Sequence, residues 1–456
     1  MSRDAGCLTP RREGGTEVRA PAPSRSARIL IMSDLIEPTV ADAVLDHIGA
    51  GADLIVPIAN GEPVTLLDAI ERNAERLSGV RVHQMHALRD RPYLHAAFGD
   101  RLRHVSYFLS HVTRPRFAAG EVDLVPNHFS EVYPLLRHRC RDPLVVAAVS
   151  PPDRHGYLSL GTGADYVASF IGRARFFVEA NARMPRTFGR NQLHLSQVAG
   201  WIRSDLPLVE VEPVQPTAID RRIAAYVAER IPDGATIQTG IGAIPNAILA
   251  NLGEHRALGI HTELLSDGVI ELIESGVVTG ARKRNNRTKT VGTFVLGTQR
   301  LYDFVADNPA VELWPATYVN DPRRIAGEPN FVSINATVEV DLAGQCASET
   351  IAGRYWSSSG GQADFARGAM YSEGGQAFVV CRSTADEGRI SKIVPTFAPG
   401  TIVTTLKNTV DKIVTEWGVA ELRGASLRER ATALIAIAHP DHRERLRHEA
   451  RRLGYL

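Results

Sequence analysis

The reading of this chain turns on G-I-H-T-E-L-L-S-D-G-V-I-E-L-I-E-S-G-V-V-T-G, residues Gly259 to Gly280, together with the turn Thr239-Gly240-Ile241-Gly242 just ahead of it. Gly259-Ile260-His261-Thr262 has the character of a buried strand end, and Glu263 comes at once after it. Ser266-Asp267 reads as an N-cap, Val269, Ile270, Leu272 and Ile273 form the apolar face of a helix, and Gly276 is placed to stop it. A carboxylate therefore stands at the C-terminal end of a strand and just before a helix. In open α/β sheets that edge is where ligands bind, so Glu263 is a candidate reacting group.

The flanking sequence extends the same pattern. Short apolar segments such as Asp53 to Pro57, Val80 to Met85, Val105 to Leu109, Val122 to Pro126, Pro143 to Ser150 and Phe176 to Asn181 alternate with helical periodicities at Thr39 to Ile48, Pro63 to Leu77 and Ala164 to Ala174. Strands alternating with helices imply parallel βαβ units. Pro207 to Thr217 carries three prolines and no helical pattern and reads as a linker. Beyond it the logic repeats: helix Ala218 to Arg230, strand Thr236 to Gln238, the glycine turn, then a helix to Leu252. The fold class is thus α/β, two tandem open domains with mainly parallel sheets, over residues 29–210 and 211–456. Residues 1–28, rich in Arg, Pro, Gly and Ser without an apolar run, read as a disordered tail, with Met32 an alternative start.

Composition narrows the function classes. With 456 residues, 44% of them hydrophobic, and a formal net charge of +1, the chain has the make-up of a two-domain globular protein and no signal for nucleic acid or a membrane surface. Cys7, Cys140, Cys346 and Cys381 show no C-x-x-C spacing, which argues against a disulfide framework or a metal site and for a reducing cytoplasm. There is no G-x-S-x-G, H-E-x-x-H or Walker A loop. Gly240-Ile241-Gly242-Ala243-Ile244-Pro245 starts like a dinucleotide fingerprint, but proline stands at the third glycine position. The turn still offers backbone N–H groups at a helix start, suited to phosphate or an oxyanion.

Several further motifs give the chain a resemblance. Pro126-Asn127-His128-Phe129-Ser130-Glu131, Ser150-Pro151-Pro152-Asp153 with His155-Gly156, N-A-R-M-P-R-T-F-G from Asn181 to Gly189, Asn335 to Gly344, Gly360 to Phe365, Val414 to Ala420 and Ala438-His439-Pro440-Asp441 occur in order from about residue 33 to the C-terminus. With these the chain resembles the acetyl-CoA hydrolase/transferase family (class I CoA-transferases), most of all members of the 4-hydroxybutyrate CoA-transferase type. The resemblance implies the CoA-transferase fold and a glutamate nucleophile, Glu263. It also implies a ping-pong exchange of CoA between short-chain carboxylates through a glutamyl-CoA thioester. Oxyanion and CoA contacts would fall to Gln238, Thr239, Gly240, Ile241, Gly242, Asn335, Ser358, Gly360, Gly361 and Gln362. Acyl-CoA and a carboxylate are then the substrates, with no tightly bound cofactor or metal, and a homodimer or higher homo-oligomer is the expected assembly. A hydrolase of the same family and a non-enzymatic CoA-binding protein are the alternatives. In one place the pattern departs: Ser357-Ser358-Ser359-Gly360-Gly361 puts Ser358 where family members have glycine, which would be costly if the backbone there were accessible only to glycine. Further expectations are that His261 packs within a strand, that Glu62 and Asn181 line the cleft, and that Arg282-Lys283-Arg284 with Arg287 and Lys289 is either a solvated loop or a phosphate contact.

Overall fold

A computed structural model describes residues 36–456, which form one compact unit. The tail expected over 1–28 and the alternative start at Met32 lie outside the described residues. Two sheets dominate. The first has seven strands, all parallel, in the spatial order Val198–Ser204, Arg175–Asn181, Leu144–Val149, Asp53–Val56, Val80–Gln84, Leu102–Ser106, Asp123–Leu124. The second has six: Gly259–Ile260, Thr236–Thr239, Phe331–Ala336, Gln376–Val380, Lys412–Thr415, Gly418–Glu421, parallel except for the closing hairpin. Leu144–Val149 is buried at every position, as expected of a parallel strand covered on both faces. In the second sheet the strand order reverses between Thr236–Thr239 and Phe331–Ala336, so the glycine turn and Asn335 both sit at the crevice-forming point.

Residues 205–217 carry no regular structure and connect the two sheets. The sheets are also stitched together by short strands. Phe188–Gly189 pairs in parallel with Val311–Leu313, which pairs with Thr290–Gly292, and Ala164 and Asp165 donate their N–H groups to the carbonyl of Thr293. Gly189 has φ +111°, and a side chain there would strike the backbone of Leu313, so this crossing requires glycine.

Two local expectations are corrected. The helix expected over Ala164 to Ala174 is only the short 3-10 turn Val167–Phe170. Asp165 is the reason. Fully buried, with φ +28°, it turns its carboxylate onto the N–H groups of Val167 at 2.6 Å and Ile58 at 3.1 Å, and the backbone is diverted before a helix can propagate. The helix Gly268–Glu274 forms as expected, and Gly276 (φ +78°) lies just past its end, but Ser266-Asp267 does not cap it. Asp267 accepts instead from the N–H and hydroxyl of Thr298.

His104, inside the first sheet, is fully buried, with neither ring nitrogen hydrogen-bonded and the ring 5.8 Å from that of Tyr93. Burial, with His83 nearby, lowers its pKa to about 3. As pH falls below about 6.5 the unfolded chain takes up a proton that the folded chain refuses, so stability is lost on the acid side. His104→Leu is expected to lose about 2 kcal/mol less stability than the parent between pH 8 and pH 5, measured by urea denaturation at both values.

Candidate active site

The segment from His261 to Glu263 is fixed from both sides. His261 N–H donates to Ile237 O, Thr262 N–H to Val291 O at 3.0 Å, and the Glu263 carbonyl accepts from Thr293 N–H (2.9 Å) and Phe294 N–H (3.1 Å). The Thr262 hydroxyl donates to Thr239 O at 2.9 Å, tying the glycine turn to the Glu263 segment. Immediately after Glu263, Leu264–Leu265 pairs in parallel with Phe294–Val295. With the backbone held this way, the Glu263 side chain projects from the sheet edge into the space between the two halves.

Its Oε2 accepts a 2.7 Å hydrogen bond from Asn320 Nδ2, and the carboxyl group is also bonded by the Gly361 N–H. A methyl group at Gly361 would collide with Glu263 Oε2 and Asn320 Nδ2, so the close approach of this N–H depends on glycine. Burial raises the Glu263 pKa to about 7, against the pull of Asn320 and Gly361. With the residue partly exposed, the ionised carboxylate is less well solvated than a free one.

A second acid lies nearby. Asp364 is buried and accepts from Ser130 of the first half, through N–H at 3.1 Å and hydroxyl at 2.9 Å. Burial raises its pKa to about 7; Ser130 and His128 pull it down, and the charge of Glu263 pushes it up. The same loop adds a backbone bond, Phe129 N–H to Gly360 O, so the Gly360-Gly361 segment is fastened across the interface at two points.

His261 supports the site from beneath. Its Nε2 lies 2.8 Å from Val319 O, so that nitrogen carries the proton, and Nδ1 is buried without a partner. Burial and the nearby Lys283 lower its pKa to about 3, so it stays neutral. By holding Val319 it sets the position of the adjacent Asn320. The Ala316–Val319 turn is anchored from the other side by Ala316 N–H to Asp165 O.

The other sequence-named residues fall into two groups around Glu263. Gln238 and Asn335 bond to each other: Gln238 Oε1 accepts from Asn335 Nδ2 at 3.1 Å and from Ser333 Oγ at 2.9 Å. They brace the crevice beside Thr239, Gly240, Ile241 and Gly242, where Ile241 is exposed and Gly242 takes φ +119° ahead of the helix Ala243–Ala250. Ser358, Gly360, Gly361 and Gln362 belong to the segment whose Gly361 N–H meets Glu263, and Gln362 Nε2 donates to Thr405 Oγ1 at 3.2 Å. Ser358 does not occupy a positive-φ conformation, and Gly360 (φ +56°) does, so the serine brings no backbone strain.

The loop expectations are revised. Lys283 is buried, donating to the carbonyls of Ile260 and Lys289, both at 2.8 Å, and burial lowers its pKa to about 8. It is a strut under the strand end, not a surface cation. Asn181 bonds the backbone of Arg183 and Leu206, and Glu62 is buried against Gln84, Leu88 and Arg89. Asn320 and the Ser130–Asp364 clasp are the partners that sequence reasoning does not supply. A cleft of about 990 Å³ opens beside the site, its wall including His128, Ser130, Asp321, Arg323, Asp364 and Arg367. It reaches the neighbours of Asn320 and Gly361, although Glu263 itself is not on its wall.

The Glu263 carboxylate, bonded by Asn320 and the Gly361 N–H, thus lies where the two α/β halves meet. The patterns of the acetyl-CoA hydrolase/transferase N-terminal and C-terminal domains match residues 39–224 and 297–450. The chain belongs to the acetyl-CoA hydrolase/transferase family, and it is an enzyme of the CoA-transferase class. It is 44% identical over 420 residues to the succinyl-CoA:cyclohexane-1-carboxylate CoA transferase of Geobacter metallireducens, covering 92% of this chain and 95% of the relative. It is 41% identical to the 4-hydroxybutyrate coenzyme A transferase of Clostridium kluyveri, covering 90% and 96%. The crystal structure of RipA from Yersinia pestis superposes with a TM-score of 0.87 at 37% identity, over 92% of this chain and 98% of that one. Glu263 lies between the two matched stretches.

Asn320→Ala removes one of the two donors to the Glu263 carboxyl group. The carboxylate should then protonate at a still higher pH, moving the acid limb of the kcat/KM profile upward from about 7 by roughly one unit. A rate loss of about 10- to 100-fold should accompany it. A pH–rate profile of the variant beside the parent measures both.

Proposed function

We propose that the enzyme moves CoA between short-chain carboxylates by ping-pong covalent catalysis on Glu263. The observation that carries this reading is the pairing of the Glu263 carboxylate with Asn320 Nδ2 and the Gly361 N–H in a poorly solvated crevice. With Oε2 held, Oε1 attacks the thioester carbonyl. The oxyanion that develops needs donors, and the N–H groups of the Gly240-Ile241-Gly242 turn are the candidates, since the Gly361 N–H is engaged by Glu263. Each such donor is worth on the order of 3 kcal/mol. Collapse expels CoA thiolate and leaves an acyl-glutamyl anhydride. The thiolate attacks the glutamyl carbonyl, releasing the first carboxylate and forming the glutamyl-CoA thioester. An incoming carboxylate attacks that thioester, and the same steps in reverse deliver a new acyl-CoA and free Glu263.

Transfer in preference to hydrolysis is supported by how the polar groups near Glu263 are engaged. A hydrolase needs a base poised to activate water. His261 is neutral and packed, Asp267 is held by Thr298, and Asp364 is held by Ser130. Keeping the anhydride and thioester from water preserves the thioester's free energy for the acceptor.

Glu263→Gln should reduce turnover by at least about 10³-fold. Sodium borohydride with acyl-CoA should inactivate the parent irreversibly and leave the variant unlabelled; label on a cysteine would refute the assignment. The variant should also be more stable at pH 8 than the parent. The raised Glu263 pKa means that ionising it costs folding free energy once pH exceeds about 4.5, and the difference in melting temperature should shrink toward pH 5. Free thiol release from acetyl-CoA should be slow until a carboxylate acceptor is added; release equally fast without acceptor would establish a hydrolase instead.

A further inference from the structure

The helix Gln362–Tyr371 opens with an acid that does not do what its position favours. Gly361 is the N-cap and no side chain caps the helix, so Asp364 stands at the third helical position. From there a carboxylate ordinarily folds back to accept the N-cap N–H, one half of a capping box. Elsewhere in this chain Asp220 accepts in this way from Thr217 N–H at 2.9 Å, and Glu429 from Ser426 N–H at 2.7 Å. At Gln362–Tyr371 the N-cap N–H is that of Gly361, and it goes to Glu263 instead. Asp364 is turned away onto Ser130 of the first half, taking its N–H at 3.1 Å and its hydroxyl at 2.9 Å.

Two carboxylates therefore stand near one backbone donor, and the charge of Glu263 is felt at Asp364. The turn Phe129–Glu131 decides between them with consecutive residues. Ser130 holds Asp364. Phe129 N–H donates to Gly360 O at 3.0 Å. Gly360 O and Gly361 N–H belong to one peptide group, and a trans peptide points its C=O and N–H in opposite directions. Fixing that carbonyl on the first half aims the N–H at Glu263 in the second. With glycine on both sides, this peptide is free to rotate once the Phe129 bond is gone.

Building on the reading of Glu263 as the reacting carboxylate, we infer that Phe129 and Ser130 are a positioning element that reserves the Gly361 N–H for Glu263. Ser130 withholds the competing Asp364, and the Phe129 N–H orients the peptide that carries the donor. Glu263 then has this donor only while the two halves are docked. When they part, Asp364 folds back onto Gly361 as Asp220 does onto Thr217, and Glu263 is left with Asn320 alone.

The test compares Ser130→Ala, Asp364→Ala, the double variant and Ser130→Thr, assayed for acyl-CoA formation and for thiol release without acceptor. Ser130→Ala frees Asp364 to take the Gly361 N–H and should lower kcat about tenfold, as for one hydrogen bond to a charged group, while KM for acyl-CoA changes less than about threefold. Ser130→Thr keeps the hydroxyl and should recover most of that loss. Asp364→Ala removes the competitor, so alone or added to Ser130→Ala it should be faster than Ser130→Ala by at least about fivefold. A clasp that only holds the halves together gives the opposite order, and Asp364→Ala as slow as Ser130→Ala would overturn the inference. A crystal structure of Ser130→Ala supplies a readout that does not depend on the reaction. It should show the Asp364 carboxylate on the Gly361 N–H; Asp364 still on the backbone N–H of residue 130, with Gly361 still on Glu263, would overturn the inference as well. Turnover surviving in Glu263→Gln would instead remove the reading of Glu263 as the reacting group, and the crystallographic result would still decide which carboxylate takes the donor.

Discussion

A carboxylate taken out of water and met by only two donors is the constraint on which this structure depends. The Glu263 carboxylate is held by Asn320 and Gly361, and the residue is only partly exposed to solvent. Such a group keeps its place only if its surroundings cannot relax. The backbone on either side is accordingly bonded into two different sheets, and the Asn320 turn is wedged between His261 below and Asp165 from the first half. The aromatic stack of Phe331 on Phe365, 6.1 Å between centroids, forms the floor beneath the site and joins the strand of Asn335 to the helix that starts after Gly361.

Much of this is legible in the sequence because the signals are local. A buried strand end with an acid and a helix after it places Glu263, and alternating apolar runs and helical periods imply the α/β class with parallel sheets. The glycine turn and Gly360-Gly361 stand out because glycine marks close backbone approach. Asn320 does not stand out. It lies in a short irregular turn with no periodicity, 57 positions from the carboxylate it holds. The Ser130–Asp364 clasp spans 234 positions, and neither residue's neighbours reveal its partner.

The misreadings have a common cause as well. Judged by their own neighbourhoods, Asp165, Asp267 and Lys283 are helix interior, helix cap and loop cation. In the fold each reaches a distant backbone group: Asp165 to Ile58, Asp267 to Thr298, Lys283 to Ile260. Tertiary partners override local preference at these positions because a buried polar group left unpaired costs more than a suboptimal turn. Ser358 is the opposite case: the departure from the family's glycine is locally conspicuous and conformationally inconsequential.

The short parallel pairing of Phe188–Gly189 with Val311–Leu313 bears on how the chain is made. During synthesis the seven-stranded sheet can close once residue 204 has left the ribosome, but Gly189 waits for a partner more than a hundred positions downstream. The crevice at Glu263 waits longer still, since Gly361 and Asp364 arrive later in the chain. Over that interval the nascent chain carries an uncovered sheet edge with the Arg114 cation beside it, and contacts of such long sequence separation close slowly. The growing chain is therefore most exposed to mispairing with its neighbours on a polysome late in translation, and becomes an enzyme only when the last third has emerged.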